Sequence, residues 1–352
     1  MRRIDIEEFF RKRDRIPLVD VRSPGEFQKG HIPGAHNIPL FDDDQRARVG
    51  IAYHHAGRQE AVMEGLRIAG PRMEKLAEQA REKAGSQREL ILHCWRGGMR
   101  SESMAWLFDK LGITNYVLQG GYKQYRRYGR EQLKNPVPLI ILGGYTGSGK
   151  TDILKALADQ GEQVLDLEGL AHHKGSAFGA MGHQEQPAGE QFENQVFDQW
   201  MRLDLNRPVW IEDESKMIGK NGIPDELFHS MRAAPVFKLE MSKHMRVERL
   251  VKEYTGFDKQ QIQENIQKIS KRLGGLKTQK AMEAVDHEDF YTAVELTLDY
   301  YDKAYLHGLS KRDPAKIHPF PVYLDDPAHT ARLLIQRSAG QPEGLNVKKL
   351  NG

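Results

Sequence analysis

His93-Cys94-Trp95-Arg96-Gly97-Gly98-Met99-Arg100-Ser101 decides what the first part of this chain folds into. The stretch holds the one cysteine among 352 residues and follows the apolar run Leu90-Ile91-Leu92. A strand that stops at a cysteine, turns through two glycines and meets Arg100 and Ser101 at the start of a helix builds an anion cradle. The glycines let backbone N–H groups turn inward, and the helix start adds the positive end of its dipole. A thiol in that setting ionises more readily than a free one, with His93, Arg96 and Arg100 near in sequence to favour the thiolate. Free cysteines are more commonly buried at the end of a core strand. The glycine pair and the two arginines argue instead for a nucleophile.

Around that stretch the composition is that of an ordinary soluble globular protein, 39% hydrophobic and 29% charged. The length suits about two domains of ~150 residues. A formal net charge of +3 does not announce a nucleic-acid binder. No apolar run approaches the ~20 residues of a membrane helix, and Met1-Arg2-Arg3-Ile4-Asp5 lacks the apolar core of a signal peptide. A cytoplasmic protein with no membrane partner is expected. A single cysteine permits no intrachain disulfide and no zinc site built on several cysteines, so a group carried on Cys94 must leave to substrate or an outside thiol. The chain has no internal repeat.

Taken in order, Ile4–Phe10 reads as a short helix, and Pro17–Val21 and Ile38-Pro39-Leu40 as strands. Gln59–Ile68 and Arg72–Lys83 read as helices separated by Pro71. His54, His55 and Arg58 precede them as a surface group or a substrate contact. After the cysteine loop come a helix from Ser101 to Leu111 and a strand over Asn115–Leu118. Gln119 to Tyr128 then interleaves Lys123, Arg126 and Arg127 with tyrosines. That pattern fits a tRNA contact, with charges on phosphates and rings under bases, and equally a helix packing its tyrosines on the core. Asn135-Pro136-Val137-Pro138 marks a domain boundary. Residues 1–134 form the first domain, 135–337 the second, and 338–352 a flexible tail.

The second domain opens with Leu139-Ile140-Ile141-Leu142 running into Gly144-Tyr145-Thr146-Gly147-Ser148-Gly149-Lys150-Thr151, and a helix over Asp152–Asp159. Gly, four residues, then Gly-Lys-Thr between a strand and a helix is a phosphate-binding loop. Gly144, Gly147 and Gly149 allow backbone N–H groups to wrap a di- or triphosphate, Lys150 adds charge, and Thr151 can hold Mg2+. Asp166, at the end of a strand over Gln163–Leu167, and Glu212-Asp213, at the end of an apolar strand, are candidate magnesium or substrate ligands. Strands are also expected over Pro235–Leu239 and Phe320–Leu324, and helices over Met245–Tyr254, Lys259–Leu273 and Asp289–His307. Arg272, on a basic helix face, is a further candidate tRNA contact. Leu170 to Gly179 is a substrate loop. Phe178, Met181, Phe192, Phe197 and Trp200 are either core or the lining of an apolar pocket.

Asp20-Val21-Arg22, Glu26-Phe27 and Gly30-His31-Ile32-Pro33-Gly34-Ala35, together with the cysteine loop, resemble the rhodanese family signature. Sulfur-transferring rhodaneses usually place four residues between the cysteine and the loop arginine. Here five, Trp95 to Met99, separate Cys94 from Arg100, as in the cysteine phosphatases of rhodanese fold, whose larger loop fits a phosphate. The loop alone leaves sulfur-group transfer and phosphate chemistry open. The expected fold is α/β, a rhodanese-like domain followed by a P-loop NTPase-like parallel-sheet domain with a helical C-terminal portion.

The order of the two units, with Gly120-Gly121-Tyr122-Lys123-Gln124-Tyr125-Arg126, Asp166-Leu167-Glu168-Gly169-Leu170-Ala171-His172-His173-Lys174-Gly175-Ser176-Ala177-Phe178-Gly179 and Glu212-Asp213-Glu214-Ser215, resembles the bacterial tRNA 2-selenouridine synthases from about Asp20 to Gly275. The resemblance implies a transferase that replaces the sulfur of 2-thiouridine at the tRNA wobble position with selenium. It implies geranyl diphosphate and selenophosphate as co-substrates, an S-geranyl-2-thiouridine intermediate, and a selenophosphate supplier as a partner. Cys94 takes the position of the cysteine that carries selenium, Arg96 and Arg100 would hold selenophosphate, and the P-loop would seat the diphosphate. The rival readings are a rhodanese-fold phosphatase or sulfurtransferase fused to a nucleotide-binding, kinase-like module, and a non-catalytic tRNA-binding adaptor, for which the intact Cys94 loop and P-loop would have no purpose.

Overall fold

Short strands buried on both faces and separated by helices can pair only as parallel sheets covered on two sides, and the chain builds two of them. In the computed structural model, which describes residues 1–175 and 184–340, the chain divides into a unit spanning Met1–Gln132 and a second beginning at Leu133.

The first sheet has the order β1-β5-β4-β2-β3, all parallel, from β1 (Arg2–Ile4), β2 (Leu18–Asp20), β3 (His36–Asn37), β4 (Glu89–His93) and β5 (Thr114–Leu118). Its helices are α1 (Ile6–Lys12), α2 (Pro24–Lys29), α3 (Asp43–Ala69), α4 (Met73–Ala84), α5 (Met99–Asp109) and α6 (Gly121–Gln132). Two expectations need correction here. Ile4 belongs to an edge strand, because Asp5 caps α1 through Glu8 and starts the helix later. The strand expected over Ile38–Leu40 is instead β3, ending at Asn37. Pro39 has no N–H to donate, so Ile38 and Leu40 bond singly to the Asp20 and Val21 carbonyls.

The second sheet has the order β12-β11-β6-β8-β7 and is again parallel. It comprises β6 (Leu139–Gly144), β7 (Gln163–Leu165), β8 (Val209–Glu212), β11 (Val236–Met241) and β12 (Ile317–Val322), with a two-stranded ribbon of β9 (Met217–Ile218) and β10 (Asn221–Gly222) beside it. Strand β12 carries Pro319 and Pro321, which confines it to an edge. Helices α7 (Lys150–Asp159), α8 (Leu167–Ala171), α9 (Gly189–Trp200) and α10 (Asp225–Ala233) connect the strands. Between β11 and β12 the chain adds a helical layer, α11 (Lys243–Tyr254), α12 (Lys259–Leu273), α13 (Gly275–Asp286) and α14 (Phe290–Leu309), with its own apolar core of Val247, Ile262, Ile266, Val294 and Leu298.

β7 stops at Leu165, so Asp166 caps α8 rather than ending a strand. Gly274 with φ +92° breaks the backbone between α12 and α13, a helix the sequence reading missed. Helix α15 (Pro327–Ala339) carries ordered backbone past position 338, while residues 341–352 of the expected tail lie outside the described residues. Among the described residues no helix is long and apolar enough to cross a membrane.

Candidate functional site

Cys94 sits where β4 ends and is 4% exposed. The loop after it is held by the start of α6, where the Tyr122 and Lys123 amides donate to the Cys94 and Trp95 carbonyls at 2.9 and 3.0 Å. Two glycines make that approach possible. A Cβ on Gly97, at φ +64°, would lie 2.2 Å from the Leu118 carbonyl oxygen, and one on Gly121, at φ +56°, 2.3 Å from that of Cys94.

The Ser101 hydroxyl lies 3.4 Å from Cys94 Sγ and 3.0 Å from the Gly98 carbonyl. Its single proton serves either acceptor and turns to sulfur when the thiol ionises. Burial pushes the Cys94 thiol up, but the Ser101 hydroxyl and amide and the nearby Arg100 charge outweigh it, and the net shift is downward. Arg100 itself is bound to Glu26, Nη1 to Oε2 at 2.6 Å and Nη2 to Oε1 at 3.3 Å. Burial raises the Glu26 carboxyl, yet Arg100, the Ser23 amide and Arg46 carry it below its ordinary range. Arg96 is solvent-exposed and makes no hydrogen bond or ion pair among the described residues.

Beneath the loop, Asp20 and Arg22 form a buried pair at 2.6 Å, and Arg22 Nη2 also donates to the Gly30 carbonyl at 2.7 Å. The guanidinium lies 3.8 Å from the centre of the Tyr122 ring. His93 departs from expectation. It is fully buried, its ring faces Asp20 at 3.7 Å and bonds the Cys94 carbonyl rather than the sulfur, and burial drives its pKa down. It underpins the loop from beneath and is not among the groups that favour the thiolate. Glu26 and Arg22 were legible as motif positions. Their roles were not, because Glu26 meets Arg100 across 74 residues of chain.

In the second unit, Lys150 Nζ donates to the Gly144 carbonyl at 3.1 Å, closing the P-loop, and the Thr151 hydroxyl donates to Glu168 at 3.0 Å. The Glu168 amide donates to Glu212 Oε1 at 2.6 Å, while Glu212 Oε2 is buried without a hydrogen-bond partner. Burial, then the charges of Glu168 and Asp166, push the Glu212 carboxyl well above its ordinary range. Glu214, which the sequence reading did not single out, is raised for the same reasons, burial first and Glu168 next.

Two of the candidate acids have other work. Asp166 accepts the Gly169 amide at 2.7 Å as the cap of α8, and Asp213 is locked to the buried Arg312 at 2.5 Å. Among the described residues no three His, Cys, Asp or Glu side chains are placed to hold a metal ion.

The P-loop opens into a cleft of about 1000 Å³ whose opposite wall is α11, α12 and α14. Its lining mixes the cations Lys150, Lys268, Lys271 and Arg272, the acids Glu168, Glu214 and Glu253, and the apolar side chains Leu250, Phe257, Ile269 and Leu309. Arg272 donates to the Tyr300 hydroxyl at 2.9 Å, so it belongs to this cleft. His173 and Gly175 of the expected substrate loop also line it; residues 176–179 and Met181 lie outside the described residues. Phe192, Phe197 and Trp200 are core, each under 4% exposed, which removes them from any pocket. On α6, Tyr122 and Tyr125 are buried, so they do not stack on bases, while Lys123 and Arg127 face water and Arg126 is half-buried.

The family model for the tRNA 2-selenouridine synthase AAA domain matches residues 137–319, and that for the rhodanese-like domain matches residues 6–128. The tRNA 2-selenouridine synthase of Hahella chejuensis is 35% identical over 334 residues, covering 84% of this chain and 86% of that protein. Its namesake in Bordetella petrii is 32% identical over 363 residues, covering 91% and 95%. The protein of the same name in Bordetella bronchiseptica is 36% identical over 286 residues, covering 74% and 76%. A cysteine loop on one parallel sheet and a P-loop cleft on another go with family models and relatives that match along nearly the whole length, and this chain belongs to the tRNA 2-selenouridine synthase family, as a transferase enzyme.

Proposed function

We propose that the protein converts 2-thiouridine at the tRNA wobble position to 2-selenouridine in two steps, through S-geranyl-2-thiouridine. The observation that carries the proposal is the P-loop cleft, whose lining brings cationic and apolar side chains into one space of about 1000 Å³. A nucleoside triphosphate has no use for Leu250, Phe257, Ile269 and Leu309 beyond its base, whereas a prenyl diphosphate has a chain to lay on them.

In the first step the thiocarbonyl sulfur of the base attacks C1 of geranyl diphosphate, the C–O bond breaks, and pyrophosphate leaves against Lys150 and the loop amides. Alkylation turns sulfur into a thioether and C2 into an electrophile. In the second step the selenium of selenophosphate adds at C2, geranylthiol leaves with a proton, and water cleaves the Se–P bond to release phosphate and leave 2-selenouridine. The Cys94 loop is where we place selenophosphate, with the exposed Arg96 and the loop amides as its anion holders, Cys94 at the floor of the cradle, and Ser101 and Arg100 as the groups that favour its thiolate. Mg2+ fits as an ion held by Thr151, Glu168 and the diphosphate itself, since magnesium commonly takes one or two carboxylates plus phosphate oxygens. It would offset charge on the leaving group.

The test is nucleoside mass spectrometry of 2-thiouridine tRNA incubated with the protein, geranyl diphosphate and selenophosphate. Wild type is expected to yield selenouridine, Cys94→Ala to stop at the geranylated base, and Lys150→Ala to leave thiouridine. Unchanged tRNA with wild type would overturn the reading in favour of small-molecule phosphatase or sulfurtransferase chemistry.

A further inference from the structure

Half of the lysines and arginines that line the P-loop cleft are already committed. Lys174 is paired with Glu253 at 2.9 Å, Arg249 with Asp152 and Asp325, and Arg232 faces Asp213 beside Arg312. Lys150 closes the P-loop, where it meets a diphosphate together with the loop amides and the start of α7. The lining acids outside these pairs also belong to the loop, Glu168 on the Thr151 hydroxyl and Glu214 beside Glu168 and Lys150. Left over are Lys155 on α7 and Lys268, Lys271 and Arg272 on α12, all four exposed.

The three on α12 stand at i, i+3 and i+4 and so share one face of the helix. A second stripe of the same helix, Ile262, Ile266, Ile269 and Leu273, turns into the core of the helical layer. None of the three cations has a counter-charge. Lys268 donates to the Asn265 side-chain oxygen at 2.8 Å and Arg272 to the Tyr300 hydroxyl at 2.9 Å, both neutral, and Lys271 makes no hydrogen bond or ion pair among the described residues. The surplus is equally plain along the chain. Residues 265–282 hold Lys268, Lys271, Arg272, Lys277 and Lys280 and no acid, and of these Lys277 alone is ion-paired among the described residues, to Asp299 at 2.7 Å.

A base whose sulfur attacks C1 of a diphosphate seated on the P-loop must enter the same cleft, and it brings its neighbouring phosphates with it. We propose that Lys268, Lys271 and Arg272 form the tRNA-binding edge of that cleft and hold the phosphates flanking the reacting uridine, an inference that rests on the tRNA reading above. Exposed cations without counter-charges are what a phosphate backbone engages, releasing its counterions. The diphosphate has its own cradle on a different element, in the loop amides and Lys150. The three α12 side chains position the nucleotide and take no part in bond making.

The test uses full-length chains: wild type, Lys268→Gln/Lys271→Gln/Arg272→Gln, the single Lys271→Glu, and a charge-matched control, Lys29→Gln/Lys75→Gln/Arg81→Gln, at exposed positions of the first unit. Binding of 2-thiouridine tRNA without geranyl diphosphate is read by fluorescence anisotropy at several salt concentrations. Binding of geranyl diphosphate without tRNA is read by calorimetry. For the α12 triple variant the expected tRNA Kd is at least about tenfold weaker, with a log Kd against log salt slope shallower by about 2–3, at ~0.7–0.9 per phosphate contact removed. Lys271→Glu should weaken tRNA binding by about threefold or more. Geranyl diphosphate binding and melting temperature should stay at their wild-type values. A tRNA Kd and slope equal to wild type would overturn the proposal, as would an equal loss in the control. So would a loss of geranyl diphosphate affinity as large as the tRNA loss, which would assign these cations to the diphosphate. If the triple variant melts below wild type, Lys271→Glu, at a side chain with no partner to lose, decides in its place. Absence of tRNA binding by wild type would instead refute the tRNA reading itself, so the two failures are distinguishable.

Discussion

Replacing Arg22 by Met should unfold the first unit far more easily and leave the second alone. Asp20 and Arg22 are at most 1% exposed, and the guanidinium makes three contacts of 2.6–3.0 Å to the carboxylate besides the one to the Gly30 carbonyl. Removing one partner of such a pair leaves a buried charge without compensation, which costs about 3–5 kcal/mol. With about 2.1 cal/mol/K of unfolding entropy per residue, the 132 residues of this unit give about 0.28 kcal/mol/K, so the melting temperature should fall by about 11–18 °C.

Amide hydrogen exchange on the full chain reads this by element: protection of Leu90–Leu92 in β4 should collapse while Ile140–Leu142 in β6 keep theirs. The deficit should also depend on pH. Burial raises the Asp20 carboxyl, but His93 and Arg22 bring it below its ordinary value, so the pair's contribution is complete above the ordinary carboxylate range and is lost as pH falls through the folded value. The variant's disadvantage is therefore largest near neutrality and shrinks in acid. Asp20→Asn/Arg22→Met, which removes both charges, should recover more than half the loss. A single-variant deficit under about 1 kcal/mol, or a double variant no better than the single, would refute the assignment of this energy to charge burial.

With one cysteine in the chain, iodoacetamide reports on Cys94 alone. Ser101→Ala should slow alkylation at pH 7 by about threefold or more, because the thiolate loses a hydroxyl donor, and Ser101→Thr should restore most of it; an equal or faster rate in Ser101→Ala would show that the hydroxyl does not serve the sulfur. In the second unit, burial and the neighbouring Glu168 carboxylate raise the Glu212 and Glu214 carboxyls, so the folded state binds more protons than the unfolded one, and stability falls as pH rises above the ordinary carboxylate range towards the raised values. Glu214→Gln should flatten that decline in urea titrations without divalent cation between about pH 5 and 8, and a decline as steep as wild type would show that Glu214 is not part of it.

The local grammar of the chain was enough for the central strands of the two sheets and for the two loops, but not for the edge strands β1 and β3. Apolar runs ending at Cys94 and at Gly144 specify buried parallel strands, because their neighbours on both sides are helices. Gly97-Gly98 and Gly144 to Thr151 carry their conformations in their own residue types. The helix start at Asp289 and the prolines of β12 follow from equally local chemistry.

What local chemistry leaves undetermined is pairing across distance. Whether Arg100 faces the substrate anion or Glu26, whether Asp213 holds a cation or Arg312, and whether Arg272 lies on an outer face or in the P-loop cleft depend on which charges meet once the sheets close. A charge buried beside a fixed counter-charge has little freedom to serve a ligand, and the distance along the chain says nothing of that. Helix α3, a hairpin that reverses at Gly57, is the sharpest case. Its helical periodicity and the glycine at its turn are legible, but the meeting of its two legs, Arg48 on Glu64 and Arg72 on Gln45, is not. Sequence alone determined which groups this protein owns and where its backbone must turn; tertiary structure decided which of those groups are already neutralised by one another and which are left for RNA and phosphate.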